Sequence, residues 1–440
     1  MDTSAQLSKT SRRNTAFVIE EARQAFDLAY RIKVMGLYGR SLDGRRVQLT
    51  PEAGEPEAIV DFVRCSYLGL DNHPQIVRGA VEALCAYGAV HWSCARTRLG
   101  FAHLKDLEAE LSQLFRARAI VFSSVMLANL GAMPLLASGA LTGGVKPVMA
   151  FDRLCHASLA YHKPVAAAET EVVTLDHNDL SALEALCKAK DCVAYIADGV
   201  YSMGGAAPLD ALRRLQDRYN LFLYIDDAHG ISILGARGEG FARSQLAGEL
   251  GARTVIAASL GKGFGASGAV LMLGSQQQED LFRRYAQPYA FSAAPNLAAV
   301  GAARAAAAIH DTPELAERQA ALQGRLEAFD ARVHTPQKGS RFPIRLIPVG
   351  TAEDAILAAR LLLDGGVYVS AVFFPTVARE AAALRLCLTA THALDDIDTL
   401  CRLIGEARAW RAFDPPPRTG GEPSTSARRP LPGSGGGDTR

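Results

Sequence analysis

The run Leu221-Phe222-Leu223-Tyr224-Ile225 limits the fold more than any other feature of the chain, because five apolar residues follow one another without polar alternation and then stop at Asp226-Asp227-Ala228-His229. A strand with one wet face alternates; one without alternation is covered on both faces, as in a helix-flanked parallel sheet. Comparable short apolar runs stand at 120–122, 148–151, 172–175, 193–196, 255–258 and 269–273. The stretches between them leave room for crossover helices, so the predicted class is α/β, with a mainly parallel, helix-covered sheet in a large domain. After an Ala-rich helical stretch at 296–310 the pattern changes to a helix over 313–333, a strand-like 344–348, a helix over 352–364 and a strand-like 367–372, which predicts a second, smaller α+β domain. The division expected is a flexible N-terminus at 1–20, an N-terminal helix segment at 21–60 in which 26–34 docks on the body, a large domain at 61–305, a small C-terminal domain at 306–412 and a disordered tail at 413–440. That tail is Pro, Gly, Ser, Thr and Arg, with too little to bury to repay the entropy of ordering.

Composition narrows the partners. The 440 residues are 49% hydrophobic and nearly charge-balanced, 47 basic against 46 acidic, so no field is available to hold nucleic acid or an anionic membrane. The longest apolar stretch, 125–141, is interrupted by Asn129, Gly131 and Pro134, which argues against a membrane span. Residues 1–15 lack the apolar core of a signal peptide, and the eight cysteines form no CxxC pair, so they read as reduced thiols of a cytoplasmic protein. No metal site is expected.

The candidate chemistry lies where apolar runs end. Ser259-Leu260-Gly261-Lys262-Gly263-Phe264-Gly265 sets a lysine among glycines at a sheet end, where partial desolvation lowers its pKa and suits it to Schiff-base formation; the same pattern also describes a surface turn. Asp226 decides between the two. It emerges at the carboxyl end of a buried strand, where open α/β sheets bind ligands, and a carboxylate there suits a pyridinium nitrogen that must stay protonated to act as an electron sink. His229, three residues on, is placed to reach the phenolic oxygen of such a cofactor or else to cap the next turn. His156, after the run 148–151, is placed either to stack on the cofactor ring or to fill the core. Ser123 and Ser124 stand at a strand-to-helix junction that offers free N–H groups to a phosphate, with simple helix capping as the alternative; Ser259 adds a further hydroxyl.

Taken together and in order, these blocks resemble the α-oxoamine synthases over about residues 60–410. The resemblance also draws on Tyr67-Leu68-Gly69-Leu70 with His73-Pro74, on Val200-Tyr201-Ser202-Met203-Gly204-Gly205, and on the block from Pro375 through Leu384-Arg385-Leu386 to Thr391-His392. It implies a fold-type I (aspartate aminotransferase-like) transferase, a homodimer with its active site at the interface, and pyridoxal 5'-phosphate as cofactor. The implied cofactor-binding residues are Ser124, Val125, Met126, His156, Ser202, Asp226, His229, Ser259 and Lys262. Among them Lys262 is the Schiff base and proton carrier, Asp226 the partner of the pyridine nitrogen, His229 with Ser202 the neighbours of the phenolic oxygen, and His156 the ring-stacking group. Arg385 would grip the amino acid carboxylate. The implied reaction is a decarboxylative condensation of an amino acid with an acyl-CoA to an α-aminoketone.

The departures fall where the acyl group, CoA or a partner subunit would approach: Ser93 to Arg98 in place of a glycine-rich segment, Met126 in place of an aromatic, Ala293-Ala294-Pro295-Asn296, and Phe373. The Ala95-Arg96-Thr97-Arg98 block with 107–111 is similar to the α-hydroxyketone autoinducer synthase branch, which uses longer acyl-CoAs. Two alternatives remain open from the residues, a plain aminotransferase on the same fold and a non-catalytic subunit of a heterodimer.

Overall fold

The computed structural model describes residues 15–50, 58–246 and 248–410. Its strands in chain order are β1 (Gly39–Ser41), β2 (Arg46–Leu49), β3 (Ala58–Asp61), β4 (Arg118–Phe122), β5 (Val148–Asp152), β6 (Val172–Leu175), β7 (Val193–Asp198), β8 (Leu221–Asp226), β9 (Thr254–Ser259), β10 (Ala269–Leu273), β11 (Ile344–Gly350), β12 (Val367–Tyr368), β13 (Ser370–Val372) and β14 (Ala382–Cys387). The seven-stranded sheet has the order β4-β10-β9-β8-β7-β5-β6. Strands β5 to β9 pair in parallel, and β10 alone runs against its neighbours β4 and β9. Each strand ends within two residues of its expected bounds.

The missing alternation in β8 has the expected cause. Leu221, Leu223 and Ile225 join one hydrophobic core, and Phe222 and Tyr224 join a second on the opposite face. Burial on both faces removes any position for a polar side chain until the strand leaves the sheet at Asp226. On the first face the helices Pro74–Tyr87 and Leu297–His310 cross with almost no space between backbones: a Cβ on Gly301 would lie 2.2 Å from the Gly79 carbonyl oxygen.

The periphery differs from expectation. A helix runs Thr15–Arg31, so residues 15–20 are helical rather than part of a flexible terminus, and the helix ends before 34. Its buried residues are Ala22 and Ala29, small side chains that a search for large apolar positions passes over. The 21–60 segment also contains β1, β2 and β3, which with β12 make a four-stranded sheet. Arg40, Arg46 and Gln48 give β1 and β2 a polar character without a buried face, which hides them in the sequence. The strand-like stretch 367–372 splits into β12, parallel to β3, and β13, in a three-stranded sheet of order β11-β14-β13. The N-terminal segment is thus built into the edge of the C-terminal region, where β3 pairs with β12 and the Tyr368 hydroxyl donates to the Val34 carbonyl at 3.0 Å. The helix expected to 333 is Pro313–Asp330, and the last one is Leu394–Trp410. The tail expected at 413–440 lies outside the described residues.

Candidate active site

The carboxyl ends of β7, β8 and β9 lie side by side and deliver Asp198, Asp226 and the Ser259–Lys262 turn to one edge of the sheet. Asp198 and Asp226 are register partners, both almost fully buried. The N–H of His156, which follows the neighbouring strand β5, donates to Asp198 Oδ1 at 2.9 Å. Burial, and then the charge of Asp226, push the Asp198 carboxyl well above the usual carboxylate range. The neutral form of Asp198 is thereby favoured beside Asp226.

Two neutral donors meet that carboxylate: the Ala228 N–H reaches Asp226 Oδ1 at 3.1 Å and Asn129 Nδ2 reaches Oδ2 at 3.3 Å. Asn129 also donates to Ser158 Oγ at 2.9 Å and accepts from the Tyr224 hydroxyl at 2.7 Å, while Ser158 Oγ bonds His156 Nδ1 at 2.8 Å. A continuous polar chain thus joins His156 to Asp226, inside a wall where an unsatisfied group would be costly. His156 has its pKa lowered, first by burial, with Asp226 pulling the other way.

Lys262 Nζ lies 2.8 Å from His229 Nε2, and His229 Nδ1 lies 2.6 Å from the Tyr67 hydroxyl. Burial lowers the lysine's pKa. Burial, reinforced by the charges of Lys262 and Arg385, also holds the imidazole neutral. A neutral ring bonded at both nitrogens is fixed in orientation and so fixes the amine. The turn needs its glycines: Gly265 has φ +82°, and a Cβ there would lie 2.3 Å from Leu70 Cβ, in the loop that carries Tyr67.

The phosphate-side residues behave more modestly. Ser124 caps the helix Val125–Ala137 by accepting from Leu127 N at 3.3 Å, Val125 is half-buried and Met126 is exposed at the helix start. Ser123 donates to the Ala293 carbonyl at 2.7 Å, which seats the 291–296 segment against its own chain and leaves Phe291 exposed. Ser259 Oγ accepts from Gly261 N at 3.2 Å and shapes the lysine turn.

A second wall faces the lysine from β14. Arg385 Nε donates to the Ser202 carbonyl at 2.7 Å, so Ser202 enters the site through its backbone, and Arg385 Nη2 lies 3.9 Å from Cys65 Sγ. Cys65 Sγ is in turn 3.8 Å from Cys387 Sγ. A hydrogen bond from Cys387 and the Arg385 charge hold the Cys65 thiol below its usual range against the opposing effect of burial.

Every residue expected at the sheet edge is there. Sequence reasoning passed over Asp198, which ends an apolar run as Asp226 does and carried the same signal. It also passed over Asn129, Tyr67 and Cys65 as site residues, whose relevance rests on contacts across 97, 162 and 320 positions.

The aminotransferase class I and II family profile matches residues 66–404. The 8-amino-7-oxononanoate synthase of Pseudomonas aeruginosa is 33% identical over 414 residues, covering 88% of this chain and 95% of that protein. The chain belongs to the aminotransferase class I and II family, in its α-oxoamine synthase group. This α-oxoamine synthase superposes on the serine palmitoyltransferase of Sphingomonas wittichii with a TM-score of 0.80 at 20% identity, over 91% of this chain and 99% of that one. It also superposes on an S. paucimobilis serine palmitoyltransferase holding a PLP–myriocin adduct, with a TM-score of 0.78 at 20% identity over 90% and 99%. At such identities the likeness speaks for the fold, which is fold-type I.

The family's cofactor fits the residues present. Asp226 is a buried carboxylate met by neutral donors, so the N–H of a pyridinium would complete its charge balance. Lys262 is a buried amine with a lowered pKa, and the first-turn N–H groups of Val125–Ala137 have no carbonyl ahead of them in the helix. Pyridoxal 5'-phosphate is the cofactor of this α-oxoamine synthase.

Proposed function

We propose that the protein condenses an amino acid with an acyl-CoA, releasing CO2 and CoA, to give an α-aminoketone, and that it does so as a cytoplasmic homodimer. The observation that carries the reading is the pairing of a held lysine with a buried arginine: Lys262 is fixed by His229 at 2.8 Å, and Arg385 faces the same space with its Nε already occupied by Ser202. The terminal nitrogens of Arg385, of which Nη2 also meets Cys65 Sγ at 3.9 Å, have further hydrogens to offer a carboxylate, as an amino acid requires.

Bound pyridoxal phosphate supplies the electron sink for carbanion charge at the substrate α-carbon. The chain's own residues do the rest. Lys262 holds the cofactor and then moves the α-proton at Nζ, a task that burial favours by lowering the pKa of the amine. His229, held by Tyr67, keeps that nitrogen in place. Asp226 would meet the pyridine nitrogen at the sheet edge while Asp198 fixes the backbone of His156, whose ring would cover the cofactor face. Ser124, Val125, Met126 and Ser259 border the phosphate side, and Ser202 orients Arg385.

The dimer reading rests on apolar side chains left in solvent. Val77, Val81, Val90, Trp92, Leu99 and Phe291 are exposed on neighbouring segments, and the Val90 carbonyl takes the N–H of Leu297 at the start of the next helix. Among the described residues no helix is long and apolar enough to cross a membrane.

A panel of amino acids against acyl-CoAs of rising chain length, read by released CoA thiol, tests the activity. Thiol release that needs both substrates is the expected result. Accumulation of pyridoxamine phosphate with an amino acid alone would replace this reading by a plain aminotransferase.

A further inference from the structure

Two thiols stand in contact in the wall that holds Arg385. Cys65 lies in the loop after β3 and Cys387 ends β14, and their sulfurs are 3.8 Å apart. The backbones are already tied there, because Cys387 N donates to the Phe62 carbonyl at 2.7 Å. Cys65 is partly open whereas Cys387 is fully buried. Cys65 has a guanidinium 3.9 Å away, which favours its thiolate, and the proposed condensation gives neither sulfur a task.

We propose that Cys65 and Cys387 are an oxidisable dithiol set in the active-site wall, which a hydroperoxide converts to a disulfide. The thiolate of Cys65 attacks one peroxide oxygen; the S–O bond forms, the O–O bond breaks and the departing alkoxide takes a proton to become an alcohol. The Cys387 sulfur then attacks Cys65 sulfur; the S–S bond forms, the S–O bond breaks, and the Cys387 proton leaves with hydroxide as water. Two thiols lose two electrons and the hydroperoxide gains them. The asymmetry in access assigns the order, with the open Cys65 oxidised first and the buried Cys387 resolving. Cys187 and Cys401 contrast with Cys65, since burial pushes each of them up to about 11.

The consequence for the enzyme follows from position. The sulfurs must close from 3.8 Å to roughly 2.05 Å. Cys65 is two residues from Tyr67, the partner of His229, and Cys387 is two residues from Arg385. Closure pulls both, and a misplacement of about 1 Å at such groups lowers turnover by on the order of 100-fold. The dithiol chemistry is independent of the substrates, and only this loss of turnover rests on the activity proposed above.

The test treats the holoenzyme with hydrogen peroxide, blocks the remaining thiols with N-ethylmaleimide and maps the peptides by mass. A 65–387 linked peptide is expected, with turnover down at least about tenfold and restored by dithiothreitol. In Cys387→Ala, peroxide should leave a sulfenic acid on Cys65, trapped by dimedone, and no disulfide; should that variant not fold, the wild-type map still decides. Oxidation falling on the exposed Cys85 while Cys65 and Cys387 both stay free, or a linked enzyme with full turnover, would overturn the proposal. If no amino acid and acyl-CoA pair is turned over at all, the peptide map still reads the dithiol on its own.

Discussion

The two walls of the site are built differently. The sheet edge takes Asp198, Asp226 and Lys262 from the ends of three adjacent strands of one sheet, each strand buried along its whole length. The facing wall joins Arg385 to Cys65, 320 positions away, through a loop and a strand of the small sheet. The edge is a buried frame that favours the neutral forms of Asp198 and His229. The other wall is an assembly of two distant segments around one cation, and it is proposed to hold the amino acid by its carboxylate. Such a division predicts that changes at the edge act on the chemical step, while changes at the arginine wall act on binding of one substrate.

Lys262→Ala carries the largest expected effect: CoA release falls to background while circular dichroism and size-exclusion mass are unchanged, because the amine supplies covalent chemistry and little packing. Substantial turnover in that variant breaks the account of the edge. Asp226→Asn should bind cofactor yet lower α-proton exchange by about 100-fold or more, roughly 3 kcal/mol, since a neutral amide no longer holds a pyridine nitrogen protonated. Deuterium washout from the amino acid α-carbon measures it, and wild-type exchange would remove Asp226 from this role. Arg385→Leu should raise the amino acid KM about 10- to 100-fold with little change in the acyl-CoA KM. Equal increases in both would erase the distinction between the walls.

Smaller effects sharpen it further. Tyr67→Phe removes the 2.6 Å contact with His229 and should lower kcat about fivefold, roughly 1 kcal/mol, with both KM values nearly constant. A KM effect confined to the amino acid would instead place Tyr67 with the arginine wall. Deleting 416–440 should change neither turnover nor assembly, as expected for a Pro-, Gly- and Ser-rich segment with little to bury, and an inactive monomer would assign that segment a structural task.

The edge is legible in the sequence because its signal is local. An apolar run without alternation means burial on both faces, and the first polar residue after it must emerge where ligands bind. Asp226, Lys262 and His156 all follow such runs, and Asp198 obeys the same rule although it does not stand out beside them. The strands β1 and β2 are hidden because a short polar strand with no buried face has no burial pattern to display, β3 because four residues are too few to show one, and the Thr15–Arg31 helix because it docks through two alanines.

Fold class, the seven sheet strands and the positions of the edge residues are thus legible in the chain itself, because burial and backbone pairing write a periodic pattern into neighbouring positions, while the cofactor type follows from the family resemblance. The arginine wall, the Tyr67–His229–Lys262 chain, the favoured neutral form of Asp198 beside Asp226, and the contact between Cys65 and Cys387 exist only in the folded molecule. Each depends on which distant segments meet and on how far their charges are removed from water, and neither quantity is encoded in the spacing of residues along the chain.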